Sequence, residues 1–332
     1  MSPSRPRFLS FATAASGNNS SSNLTGANNN PKATAGSSAL PMLTLPPTLR
    51  NNTVAALGEF IGTFLFLFFA FAGTQVANST VAAGAGTAPN LVVLVYISLA
   101  FGVSLTANVW AFYRITGGLF NPSVTLALCL VGGLPLLRSS IVFVAQVLGG
   151  IAAAGVVSAL FPGEMKVGTA LGGGTSVVQG LFIEMFLTAE LVFVIIMLAA
   201  EKHKSTFLAP LGIGISFFLA ELVGVYFTGG SLNFARSFGP AVVNGNFPGY
   251  FWIYALGPML GALVASGFYS VLKYLRWKEC NPGQDRDWDD TERMERQPMF
   301  KSTGQSNGME SPEDQSVERS GVAEGEGTGR AH

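Results

Sequence analysis

Two stretches of the chain nearly repeat each other: Thr116-Gly117-Gly118-Leu119-Phe120-Asn121-Pro122-Ser123 and Thr228-Gly229-Gly230-Ser231-Leu232-Asn233-Phe234-Ala235, with Asn121 and Asn233 at an offset of 112. Each is a Gly-rich turn ending in an Asn that can cap a short apolar helix. The apolar runs that follow, 122–130 and 234–243, are about half the roughly 20 residues a helix needs to cross a bilayer. A half-length helix in hydrocarbon leaves its backbone ends unpaired unless protein or water covers them. A chain that does this twice must bury both half-spans or use them to line a cavity.

The surrounding sequence puts those runs in lipid. Of 332 residues, 49% are hydrophobic and only 11% charged, with a mean hydropathy of +0.42, against about 25% charged in soluble domains. Six segments are long and apolar enough to span: 54–77, 91–112, 139–161, 177–200, 207–227 and 250–272. Residues 1–50 are rich in Ser, Asn, Ala, Pro and Gly and read as a disordered tail. Arg5 and Arg7, ahead of a Ser/Ala-rich run without acids, also fit a mitochondrial presequence. Residues 279–332 read as a second, acidic disordered tail, leaving a membrane domain over 51–278.

Lys and Arg set the orientation. The connection 78–90 has none, whereas Arg50, Arg114, Arg138, Lys202, Lys204, Lys273, Arg276 and Lys278 all fall on one side of a six-span chain. That side, with both termini, is expected to be cytoplasmic. The repeat extends beyond the turns. Gln146-Val147-Leu148-Gly149 aligns with Pro258-Met259-Leu260-Gly261 at the same offset, and Glu59 with Thr63 aligns with Glu184 and Thr188 at 125, the first connection being longer. Each repeat, 54–161 and 177–275, has three spans and a half-span. An odd number of crossings inverts the second half relative to the first, which brings their sites together near the bilayer midplane. The fold class expected is an all-α membrane protein: six transmembrane helices plus two re-entrant half-helices in an inverted repeat.

On these motifs, together with Ala235-Arg236-Ser237-Phe238-Gly239-Pro240 and Gly257-Pro258, residues from about 54 to 275 resemble the major intrinsic proteins, or aquaporins. The long polar tails resemble those of fungal members. The resemblance implies a passive channel for water and small neutral solutes, four pores per homotetramer, no cofactor, and a plasma-membrane location. It makes Asn121, Pro122, Ser123, Asn233, Phe234 and Ala235 the pore motif. Asn amides at two converging helix starts would orient each passing water, interrupting a proton wire, and the positive helix ends would oppose cations. Carried over position by position, the resemblance assigns an outer constriction to Phe101, Glu221, Gly230 and Arg236. An Arg at membrane depth is costly and therefore functional by default. The resemblance also makes Glu59 and Glu184 the carboxylates that hold the half-span loops, since irregular buried backbone needs partners. Gln146 is expected to assist.

Three departures from the family pattern carry expectations of their own. Phe234 replaces the Pro of the second motif and either packs against Pro122 or narrows the pore. Glu221 stands where water-selective members often carry His. It is expected to pair with or lie near Arg236, or else to point into the helix bundle and be satisfied by backbone. Gly230 is expected to expose backbone carbonyls to permeating water. Leu119 replaces a His and makes the cytoplasmic entrance more apolar. Ser237 and Ala241 resemble water-selective members, as does Tyr254, but Ala255 stands where they tend to carry Trp. Water is the expected main solute and hydrogen peroxide a second; a glycerol facilitator is the alternative. A further expectation is that Phe234 or the tails hold the pore closed.

Other classes fare worse. A proton-coupled secondary transporter also uses inverted repeats and broken helices, with Glu59, Glu184 and Glu221 as candidate carriers. It has no use for the paired Asn motifs. An enzyme lacks a nucleophile–base set: the two His are His203, in a turn, and His332, at the chain's end. Cys129 and Cys280 lack metal-ligand spacing, and no basic domain points to nucleic acid. The sequon at Asn78-Ser79-Thr80 falls on the expected outer face, while those at Asn19, Asn23 and Asn51 fall on the cytoplasmic side.

Overall fold

The structure is a computed structural model that describes residues 45–79, 89–281 and 284. Both predicted tails lie almost wholly outside this set, as do Thr80, Asn19 and Asn23. The described chain runs α1 (Pro47–Ser79), α2 (Leu91–Phe112), α3 (Pro122–Leu130), α4 (Leu136–Leu160), α5 (Val177–Ile195), α6 (Ala209–Thr228), α7 (Phe234–Asn244) and α8 (Ile253–Tyr274). Six helices are long and apolar enough to cross a membrane. The other two, α3 and α7, are the half-spans. The α5 span finishes as a π-helical turn, Ile196–Ala200, and α6 is preceded by a 3₁₀ turn, Lys204–Leu208.

Local chemistry sets the helix ends. Asn90 caps α2, accepting from the N–H groups of Val92 and Val93 at 3.1 and 3.3 Å. Ser176 and Gln179 form a reciprocal capping box at the start of α5, satisfying two donors that the first turn would otherwise leave unpaired. The first helix starts seven residues before the expected span, at Pro47, a residue whose fixed φ suits the first helical position. Its polar first turns carry Asn52, which accepts from Arg138 Nε at 3.1 Å and so ties the starts of α1 and α4 together.

The inverted repeat is visible in the packing. The pairs α1·α4 and α5·α8 are counterparts, α2 packs on α6 across the pseudo-symmetry axis, α3 lies against α8, and α7 lies against α4. The crossings use matched glycines. A Cβ on Gly149 would stand 2.7 Å from Phe60 O and 3.1 Å from Thr63 Cβ; one on Gly261 would stand 2.5 Å from Met185 O and 2.7 Å from Thr188 Cβ. These are equivalent contacts in the two halves, made by small residues where backbones approach closely. Outward faces carry large apolar side chains, among them Phe69, Val103, Phe186 and Ile215, as a lipid-facing surface requires.

Candidate functional site

The two repeated turns fold alike. Gly117 and Gly118 have φ of +98° and +67°, Gly229 and Gly230 +82° and +61°, and the bulky residues just before each Asn, Phe120 and Leu232, sit at +50° and +51°. A left-handed backbone at Phe or Leu costs on the order of 1–3 kcal/mol and persists only where its surroundings enforce it. Here a buried carboxylate does so in each half. Glu59 accepts from Leu119 N at 3.1 Å and Phe120 N at 2.9 Å, and Glu184 accepts from Ser231 N at 2.9 Å and Leu232 N at 2.8 Å. Gln146 Nε2 adds a third donor to Glu59 at 2.8 Å and also bonds Thr125. Its counterpart in the second half is Pro258, which has no such group, and a bond between Ser231 and Ser237 hydroxyls at 2.6 Å braces that loop instead.

The two turns meet. Asn121 Oδ1 accepts from Ser123 N at 2.8 Å, and Asn233 Oδ1 accepts from Ala235 N and Arg236 N at 2.9 and 3.3 Å, so each side-chain oxygen caps its own half-helix. Each side-chain nitrogen reaches across: Asn121 Nδ2 donates to Leu232 O at 2.9 Å, and Asn233 Nδ2 to Phe120 O at 2.8 Å. The amides are therefore not wholly free for a passing water. One N–H of each is committed to the opposite loop, and one is left over. Both Asn are buried, and the positive ends of α3 and α7 converge on them.

Pro122, Ser123 and Ala235 are buried in the first turns of the two half-helices. Phe234 does not point at the Asn pair. Its ring stacks on Phe238 at 5.0 Å and shares with Pro122, Cys129, Phe143 and Met259 an apolar groove of about 470 Å³. Leu119 borders a small cavity of about 20 Å³ with Gly117, Gly118, Leu128, Ile195 and Ile213, room for about one water.

On the other side of the Asn pair, Arg236 is 1% exposed. Its Nε donates to Gly230 O at 2.9 Å, Nη1 to Val167 O at 2.6 Å and Nη2 to Gly229 O at 3.2 Å. The guanidinium also faces the rings of Phe101 at 4.7 Å and Phe71 at 5.4 Å, a placement that stabilises a cation. Phe101, Gly230 and Arg236 are thus brought together.

Glu221 is next to them but makes no ion pair with Arg236. Both its carboxyl oxygens are buried and have no hydrogen-bond partner among the described residues, so Glu221 lies near Arg236 without pairing to it and without backbone partners. Its oxygens occupy the volume that a Cβ on Gly230 would need. The space freed at Gly230 goes to this carboxyl, and the Gly230 carbonyl goes to Arg236.

Several contacts here carry no signal at the sequence level. Val167 belongs to the segment between α4 and α5, and its carbonyl is delivered to Arg236 by a grip from α1. Gln75 donates to Glu164 O at 2.9 Å and accepts from Lys166 N at 2.7 Å, and Asn78 Nδ2 donates to Lys166 O at 2.6 Å. The only hint in the sequence is a pair of amides three apart at the end of an apolar helix. Tyr254, which donates to Thr228 O at 2.9 Å, anchors the turn from α8. Glu190 also finds its partner: Ser216 Oγ donates to it at 2.6 Å.

A profile of the family described as Major intrinsic protein matches residues 48–269. The chain is a major intrinsic protein. Among its relatives, Aquaporin-7 of Botryotinia fuckeliana (strain B05.10) is 62% identical over 240 residues, covering 71% of this chain and 53% of that protein. Aquaporin-5 of the same organism is 58% identical, with 72% and 45% covered. Probable aquaporin-3 of Gibberella zeae is 53% identical, with 72% and 84% covered. The chain spans about half the length of the first two. All three are fungal proteins, in line with the resemblance in the tails. A solved structure described as the aquaglyceroporin from Plasmodium falciparum shares the fold of this major intrinsic protein, with a TM-score of 0.58 at 21% identity over 66% of this chain and 95% of that one.

Proposed function

We propose that this major intrinsic protein is a passive membrane channel, not an enzyme, that conducts water along an osmotic gradient and hydrogen peroxide along its own. One observation carries the reading: Asn121 and Asn233, held amide to opposite carbonyl at the junction of two converging half-helices, each keep one N–H for a passing molecule. A water that accepts from both turns its own hydrogens outward, which breaks a chain of like-oriented waters. The buried guanidinium of Arg236 and the two positive helix ends raise the cost for cations. Ser237 and Ala241 favour water over glycerol on the family pattern. By the same resemblance the chain assembles as a homotetramer in the plasma membrane. The one-sided distribution of basic residues supports a cytoplasmic location for both termini.

The test is an osmotic jump on proteoliposomes. Water permeability well above that of empty vesicles is expected, with peroxide entry measured in the same preparation. Vesicles that shrink no faster than empty ones overturn the reading.

A further inference from the structure

Two of the basic residues that orient the chain share a cavity. It lies where the start of α1, the end of α2 and the start of α4 come together, has a volume of about 260 Å³, and is lined by both Arg114 and Arg138. Its walls include the buried apolar side chains of Leu134 and Val142, and its exposed edge carries Val54 and Ile115. Among the described residues, none that lines it is acidic. Neither guanidinium is neutralised from within. Arg114, in the turn after α2, makes no hydrogen bond or ion pair with any described residue. Arg138 gives Nε to Asn52 Oδ1 at 3.1 Å, which leaves four of its five N–H donors without a partner among the described residues. Arg138 is also poorly placed for its own helix. It stands in the first turn of α4, whose start at Pro135 has no side-chain cap, and the positive end of a helix disfavours a cation. An anion held between the two arginines would offset both charges and the helix end together.

We propose that this cavity binds an anionic phospholipid, with the headgroup phosphate between Arg114 and Arg138 and an acyl chain leaving across Val54 and Ile115. A phosphate ester matches the donors: guanidinium forks bond its oxygens two at a time. Lipid is the source because the cavity has apolar walls and sits at the ends of membrane-spanning helices, where basic pockets between helices take anionic headgroups. The site also touches the channel. Thr116 and Leu119 line the cavity too, and both belong to the connection that ends in Asn121, so a bound headgroup braces that loop against α4. The inference needs the six-span topology but not the identity of the permeating solute.

Thermal unfolding of the full chain in an uncharged detergent, titrated with a short-chain phosphatidic acid, tests the site. A ligand that binds the folded protein raises the midpoint by mass action. Phosphatidic acid should raise it, whereas zwitterionic phosphatidylcholine of the same chain length and inorganic phosphate at the same concentration should not. Arg114→Gln removes no bond to a described residue, so it should fold as before and need about fivefold more phosphatidic acid for the same rise. Arg276→Gln removes the same charge from an exposed position and should leave the titration unchanged. Equal rises with phosphatidic acid and phosphatidylcholine overturn the proposal, as does an Arg114→Gln titration that matches the unchanged protein. A loss from Arg276→Gln as large as that from Arg114→Gln overturns it too, because charge anywhere on the surface then suffices. If inorganic phosphate raises the midpoint as much as phosphatidic acid, lipid is overturned as the ligand in favour of a soluble phosphate. Flux does not enter these measurements, so their failure leaves the channel reading intact.

Discussion

Asn121 and Asn233 each hold the carbonyl that precedes the other: Asn121 Nδ2 donates to Leu232 O and Asn233 Nδ2 to Phe120 O, at 2.9 and 2.8 Å. The exchange makes the two half-helices one unit, because neither turn can shift without releasing a bond in the other. Asn233→Ala removes that bond and also the cap on Ala235 and Arg236. It should lower stability by about 1–3 kcal/mol and sharply reduce water flux, measured by unfolding in detergent and by stopped-flow light scattering. A variant with normal flux would mean that the pair does not shape the pathway.

Glu59 and Glu184 have matching roles but unequal loads. Glu59 receives Leu119 N, Phe120 N and Gln146 Nε2, whereas Glu184 receives only Ser231 N and Leu232 N from its loop. A Gln at either position turns one acceptor into a donor facing another donor. Hydrogen bonds to a charged group contribute about 1.5–3 kcal/mol each, so both Glu→Gln variants should be destabilised, Glu59→Gln the more. Unfolding midpoints of the two variants side by side check the order.

Phe234 is the departure from the family pattern that most invites a narrowed pore. Its ring stacks on Phe238 and lines the groove with Pro122, so of the two sequence expectations the structure supports packing. Phe234→Pro should therefore leave water permeability within about twofold, a Pro being preorganised at the first helical position. A large rise would restore the idea that this ring holds the pore shut.

Gly149 and Gly261 sit at equivalent crossings, each against a backbone carbonyl of the partner helix. Val at either site forces helices apart and should cost about 1–3 kcal/mol or more. Because the crossings are counterparts, the two losses should be of similar size. A large loss at one and none at the other would show that the halves do not share their packing.

Gln75 grips the segment that brings Val167 to Arg236. Gln75→Leu keeps the helix and frees that segment. The ratio of glycerol to water flux should rise by about fivefold, the effect of a lost hydrogen bond or two, and the same lost bonds should lower the unfolding midpoint. An unchanged ratio would mean that Val167 holds Arg236 without help.

The sequence was most informative where a signal was local or repeated. The apolar runs placed five of the six spans to within about three residues, because lipid demands contiguous stretches; the first helix starts seven residues early, in a polar stretch that hydropathy does not mark. The Asn-ended turns placed α3 and α7, and the family resemblance pointed to the loop contacts of Glu59 and Glu184. The rest depends on contacts between distant residues. Gln75 and Val167 are joined through a loop nearly a hundred positions away, and nothing in either stretch announces it. Gly230 was read as a gap exposing backbone. Its neighbour Glu221 lies in α6, the helix that leads into this turn, and only the path of the turn shows that one fills the other's space. The π-helical turn at Ile196–Ala200 likewise leaves no mark in a pattern that continues as apolar helix.

The segment carrying Val167 joins the end of α4 to the start of α5, and so joins one repeat to the other. The Asn junction is built from equivalent pieces, one from each repeat. The Arg236 cradle is not: it borrows a carbonyl from the tether itself, so its third anchor belongs to neither repeat.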